Sequence, residues 1–269
     1  RAAQMLSTLM TVMAIAPLLG PILGGQILRL SGWHAIFVFL AAFGLATLGA
    51  LFTLPETVPV ENRSREPLRR AVAQYGELLR DRRLLGYAGA GGCFYAAMFA
   101  YIAGTPFAYI TFYHVSPQAY GLLFGIGVVG IMGSNFINSR LVRRLGGDRL
   151  LLRGTAVGAV SGAVLAITAT TGWGGLAGLV VPLFFFISAT GFIVANSISG
   201  ALADFPERAG AVSALVGALQ YGSGIFGSAL VGALANGTPA PMGWVIGLTT
   251  AGSLICARFL VWPTHHRKQ

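Results

Sequence analysis

Long apolar runs broken by short polar clusters dominate this 269-residue sequence. Eight runs, roughly 5–28, 33–54, 84–112, 118–142, 150–171, 176–202, 209–235 and 242–262, are long enough to cross a ~30 Å hydrocarbon core as helices. Several exceed ~20 residues, which predicts tilting or projecting ends. None alternates apolar and polar positions as a barrel strand does, so the pattern predicts an all-α, polytopic transmembrane bundle. Prolines predict bends in the third run around Ala103–Thr111 and in the sixth around Val181–Pro182, because each proline leaves a carbonyl unpaired.

Composition agrees: 55% of residues are hydrophobic, 10% are charged and the mean hydropathy is +0.73. A water-facing surface needs about 25% charged residues, so lipid is the solvent this chain fits. The net charge of +10 would suggest nucleic acid, but its distribution excludes that reading. Arg63, Arg65, Arg69, Arg70, Arg80, Arg82 and Arg83 separate the second and third runs, and Arg140, Arg143, Arg144, Arg149 and Arg153 flank the turn between the fourth and fifth. Arg208, Arg258, Arg267, Lys268 and Arg1 fall on the same side, and Arg29 alone falls on the other. The positive-inside rule predicts both ends of the chain in the cytoplasm. The opposite loops, Ser31–Gly32, Thr171–Gly174 and Asn236–Pro241, are short and uncharged.

Three parts follow: 1–54 with two spans, a polar loop over 55–83, and 84–269 with six spans and a basic tail. Within the loop, Leu68, Val72, Tyr75 and Leu79 recur at helical spacing among arginines. That pattern fits a basic amphipathic helix on an anionic leaflet, or equally a solvated linker helix. Ser7-Thr-Leu9 and Gly32-Trp33 in the first two spans are echoed by Ser213-Ala-Leu215 and Gly243-Trp244 in the last two. Parallel repeats are a transporter pattern. If the last six spans are one unit, the first two are the tail of another, so about four further helices are expected ahead of Arg1.

The most informative local sequence is Ala16-Pro17-Leu-Leu-Gly20-Pro21-Ile-Leu-Gly24-Gly25. Gly20 and Gly24 make a small face for close helix approach, while Pro17 and Pro21 remove backbone donors. This stretch resembles the antiporter motif in the fifth helix of major facilitator superfamily exporters, with Ala16 where the motif usually has glycine. Leu54-Pro55-Glu56-Thr57 is similar to the end of that superfamily's sixth helix. Ala209-Gly210-Ala-Val-Ser213-Ala-Leu215-Val-Gly217-Ala-Leu-Gln220 and Tyr101-Ile-Ala-Gly104-Thr-Pro106-Phe107 resemble the eleventh and seventh helices of the bicyclomycin-resistance (Bcr/CflA) drug-efflux family. The resemblance implies helices five to twelve of a twelve-helix, N-terminally truncated major facilitator fold. It also implies a drug/proton antiporter of the bacterial inner membrane that works by alternating access. A proton gradient would supply the energy, no cofactor is implied, and proton coupling is attributed largely to the N-terminal half.

Other motifs carry less. Gly125-Ile-Gly127-Val-Val-Gly130, followed by Asp148, matches a dinucleotide fingerprint. It lies inside an apolar helix without a strand–turn–helix context, so it is expected to serve helix packing, as is Gly158-x-x-x-Gly162. His265 and His266 read as solvated tail, and Cys93 and Cys256, far apart in sequence, as small buried residues rather than a metal or disulfide framework.

All eight acids, Glu56, Glu61, Glu66, Glu77, Asp81, Asp148, Asp204 and Glu207, fall in loops or at helix ends, none at the middle of a span. The candidate substrate-pathway residues are therefore uncharged: Tyr95, Tyr101 and Phe107, with Phe94 and Tyr109, in the third span, Asn135 and Asn138 in the fourth, then Asn196 and Gln220. An aromatic lining with a few amides suits small amphipathic compounds. Lipid is the expected environment, and no catalytic, metal or nucleic-acid site is expected. The rival readings are a metabolite exporter of the same superfamily, a membrane scaffold, or an embedded enzyme, the last unsupported by any intramembrane cluster of His, Asp or Glu.

Overall fold

The computed structural model describes residues 23–53 and 68–262, which divide between two compact units, 1–65 and 66–269. Every described element is helical. Seven helices among the described residues are long and apolar enough to cross a membrane. The first predicted span lies mostly outside the described residues, as do Pro17, Gly20, Pro21, Pro55, His265 and His266.

In the first unit, α1 covers 23–31 and α2 is Trp33–Leu51, joined through Gly32 at a φ of 76°. No residue of α2 is buried, and its mean composition is apolar all round. Among the described residues, an added Cβ at Gly24 or Gly25 would meet nothing within 4 Å.

The second unit opens with α3 (Leu68–Leu78), then the long α4 (Arg82–Pro106), whose first turn is capped by Asp81 accepting from the Leu84 amide at 2.7 Å. Pro106 ends regular α geometry, and Phe107–Phe112 continues as a π turn, where the sequence predicts a bend. α5 (Pro117–Leu145) starts on a Ser116 cap with proline at its first position. Gly146, at a φ of 81° that side chains rarely adopt, turns the chain into α6 (Gly147–Thr171). α7 (Gly175–Ser188) and α8 (Thr190–Ala203) form one span, α9 is Ala209–Ala233, and α10 (Ala240–Cys256) runs into a π turn over Ala257–Val261.

α4 is the hub of this unit, packing on α9, α10 and α8, while α6 packs on α10, α7 and α8. Small residues make these approaches possible, since lipid supplies no hydrophobic force between helices. Gly227 of α9 lies against the Ala96 backbone, Gly162 of α6 against Thr250 and Gly247, and Gly191 of α8 against Ser134. Gly127 and Gly130 face Ile187 and Ser188 of α7 and are packing positions, whereas a Cβ on Gly125 would meet nothing within 4 Å among the described residues. Outward positions such as Leu122, Val129, Met132 and Phe136 expose apolar surface suited to lipid.

Two expectations need correction. The sixth span is interrupted at Ala189, while Pro182 sits inside α7 without a break. The reason is that the Gly178 carbonyl, which Pro182 cannot bond, accepts instead from Thr168 of α6 at 2.7 Å. On α3, Leu78 rather than Leu79 is the buried position: Leu78 is 1% exposed and joins the core, whereas Leu79 is 44% exposed in the turn after the helix.

Candidate functional site

An aromatic cluster forms where α4, α5 and α7 meet. Tyr101 and Tyr109 are buried on α4 and its π turn. Tyr101 stacks on Phe124 with centroids 6.1 Å apart, and Tyr109 meets Tyr120 edge-on at 5.9 Å. The Tyr120 hydroxyl lies 3.3 Å from Thr105 Oγ1, which itself donates to the Tyr101 carbonyl. Neither the Tyr101 nor the Tyr109 hydroxyl has a hydrogen-bond partner among the described residues. Both side chains border a partly open void of about 20 Å³, lined also by Ile126, Gly127, Leu183, Phe184 and Ile187. That volume is roughly one water's worth.

Phe107 points elsewhere. It lines a larger recess of about 320 Å³ between α4, α9 and α10, together with Gly104, Ser228, Asn236, Thr238 and Met242. Tyr95 pairs with the exposed Tyr221 of α9 at a centroid distance of 5.2 Å, and Phe94 packs on Phe186 in the core. The aromatic candidates therefore occupy separate places along α4.

The amide candidates separate similarly. Asn196 donates to Asn138 Oδ1 at 2.7 Å and to the Phe192 carbonyl, and both amides are buried between α5 and α8. Asn135 is exposed on α5 and takes no part in that pair. Gln220 is 2% exposed, donates weakly to Ser197 Oγ at 3.5 Å, and packs against Gly91 of α4. It thus joins α4, α8 and α9 within the bundle.

A polar centre that sequence reading missed lies at the arginine-rich end. Arg83 of α4 donates to Asp148 Oδ2 at 3.2 Å and to the Tyr87 hydroxyl at 3.0 Å. Tyr87 in turn donates to Asp148 Oδ1 at 2.5 Å, and Arg83 Nε lies 3.3 Å from Asp204 Oδ2. Gly200 sits under the Tyr87 ring, so only hydrogen fits there. The centre ties the start of α4 to the start of α6 and the end of α8. A usable signal existed: Asp148 and Asp204 are two of only eight acids, the first at the start of α6 among Arg143, Arg144 and Arg149, the second at the end of α8 four residues before Arg208. A second, exposed pair joins Arg208 to Glu77 of α3 at 3.0 Å. Among the described residues no group of three or more His, Cys, Asp or Glu is placed to hold a metal ion.

Residues 1–228 match the family model of the Major Facilitator Superfamily. The chain is 36% identical over 259 residues to an uncharacterized MFS-type transporter, YdgK, of Bacillus subtilis, covering 94% of this chain and 63% of that protein. It is 31% identical over 261 residues to a bicyclomycin resistance protein homolog of Haemophilus influenzae, covering 96% of this chain and 65% of the relative. Over 165 residues it is 33% identical to the multidrug transporter MdfA of Edwardsiella piscicida, covering 59% and 38% respectively. The chain thus spans less than two thirds of the length of each of these relatives.

Proposed function

The chain belongs to the Major Facilitator Superfamily, and from that premise we propose that it serves in a drug/proton antiporter exporting small amphipathic compounds. Relatives named for bicyclomycin resistance and multidrug transport support the substrate class. The arginine-rich end would face the cytoplasm of a bacterial inner membrane, by the positive-inside rule. One six-helix half would rock against the other around a midplane site, driven by the proton gradient.

The observation that carries this reading is the aromatic cluster of α4, α5 and α7. Two phenol hydroxyls without a hydrogen-bond partner among the described residues, set among apolar side chains, suit a solute that binds through apolar area and one or two polar atoms once the helices part, since the void here holds about one water. Asp148 and Asp204 are paired with Arg83 at the arginine-rich end, and Glu207 is exposed there beside Arg208, so proton coupling would fall to a group outside residues 84–262.

The test is drug transport by the full-length protein in proteoliposomes, using a fluorescent amphipathic dye and an imposed proton gradient. Gradient-dependent transport is expected, with Tyr101→Phe plus Tyr109→Phe raising KM more than it lowers kcat. Transport indifferent to the gradient would overturn the antiporter reading, and an unchanged KM would remove the cluster from the pathway.

A further inference from the structure

Cys93 and Cys256 are the only cysteines of the sequence and are separated by most of the second unit. The fold brings them together. α4 packs antiparallel on α10 and its π turn, from Gly86 against Val261 to Gly104 against Met242, and between these the Ser253 hydroxyl donates to the Ala90 carbonyl at 2.7 Å. Each thiol rests on a glycine of the opposite helix: a Cβ on Gly252 would lie 3.3 Å from Cys93 Sγ, and one on Gly89 would lie 2.9 Å from Cys256 Sγ. Gly89 and Cys93 are one turn apart on α4, and Gly252 and Cys256 one turn apart on α10, so the sulfurs sit at opposite corners of a four-residue patch. Each sulfur thus lies over the glycine one turn from the other cysteine, which puts both thiols on one face of the α4–α10 seam. Both cysteines are free and only partly buried.

We propose that Cys93 and Cys256 form a two-thiol site, between α4 and α10, for neutral thiophilic ligands of the trivalent organoarsenical class. Soft sulfur donors select soft centres. Zinc in a structural site wants four ligands, and among the described residues no third His, Cys, Asp or Glu stands with this pair. Charge decides further: a thiolate is costly to maintain in an apolar layer, which disfavours chemistry that leaves the sulfurs ionised. Condensation with an organoarsenic(III) oxide avoids that cost. Two As–S bonds form and the As–O double bond breaks. Both S–H protons depart on the oxygen as water, and arsenic stays trivalent, so no oxidant is consumed. The product is a neutral covalent staple between the two helices.

The probe is phenylarsine oxide, added to the purified full chain in detergent after reduction with a phosphine and removal of the reductant. One phenylarsenic group per chain is expected, with both thiols lost to maleimide. A bridged adduct should survive washing with the monothiol 2-mercaptoethanol and be removed by the dithiol dithiothreitol. Cys93→Ser and Cys256→Ser should each lose retention under the monothiol wash. Two arsenic groups per chain, or stripping of the wild-type adduct by the monothiol, would overturn the proposal. That wild-type measurement stands even if a variant fails to fold, and neither outcome depends on transport.

Discussion

The Thr168 hydroxyl of α6 donates to the Gly178 carbonyl of α7 at 2.7 Å, filling the acceptor that Pro182 leaves without a helical partner. A proline inside an apolar span is tolerated when a neighbouring helix supplies the missing donor. Thr168 is buried, so water cannot substitute. Thr168→Val keeps the shape and removes the donor. It should lower stability in detergent by about 1 kcal/mol, the order expected for an unsatisfied buried carbonyl. Thr168→Ser should stay near wild type. Thermal unfolding of both variants checks this, and equal losses would mean that the methyl packing matters instead of the hydrogen bond.

That contact also shows where sequence reading stops. The apolar runs, their number beyond the first, and their turns at Gly146 and Gly172–Gly174 were legible because lipid imposes length and hydropathy on each span separately. Departure from α geometry after Pro106 was legible for the same local reason. The rescue of Pro182 was not, since Thr168 belongs to another helix and nothing in local pattern pairs them. The same holds for Arg83 with Asp148 and for Cys93 with Cys256, whose partners lie far along the chain. Among the candidate residues, chemistry was legible but direction was not. Asn135 and Asn138 look alike in sequence, yet one is exposed and the other buried, because a helix turns 100° per residue and the buried arc is set by the neighbours.

Asn138 and Asn196 offer a direct measure of polar adhesion between α5 and α8. Their 2.7 Å hydrogen bond is buried on both sides. Interhelical hydrogen bonds in membranes average about 0.6 kcal/mol and reach about 1.7 kcal/mol. A double-mutant cycle with Asn138→Ala and Asn196→Ala should return a coupling within that range. Additive losses would show that each amide acts through its own helix, as the bond from Asn196 to the Phe192 carbonyl permits.

At the arginine-rich end, Arg83 serves two carboxylates while being only 18% exposed. Removing it leaves Asp148 and Asp204 close together without the cation between them. Arg83→Ala should therefore cost about 1–3 kcal/mol, below the value for a fully buried pair because solvent still reaches the site. Glu77→Gln, which breaks the exposed pair with Arg208, should cost under about 1 kcal/mol. Unfolding of the two variants side by side tests the ranking. A larger loss at Glu77 would mean that docking of α3 contributes more than the Arg83 centre.

A close approach of α9 to α4 supplies the last prediction. On α9, a Cβ at Gly227 would run into the Ala96 backbone carbonyl of α4, and backbone cannot rotate aside as a side-chain tip can. At Gly222 of the same helix, a Cβ meets nothing within 4 Å among the described residues. The two substitutions to alanine change helix propensity equally, by up to about 1 kcal/mol in favour of alanine. Their difference therefore isolates the interhelical contact. Gly227→Ala must push α9 away from α4 along their shared face, which also loosens the Ser223 bond to the Gly92 carbonyl at 2.6 Å. Overpacking of this kind costs about 1–3 kcal/mol. Gly222→Ala should be neutral or slightly stabilising, and Gly227→Ala clearly destabilising, in thermal unfolding of the purified protein. If the two behaved alike, α4 and α9 would be free to shift apart at little cost, and the small-residue packing of this bundle would not set its geometry.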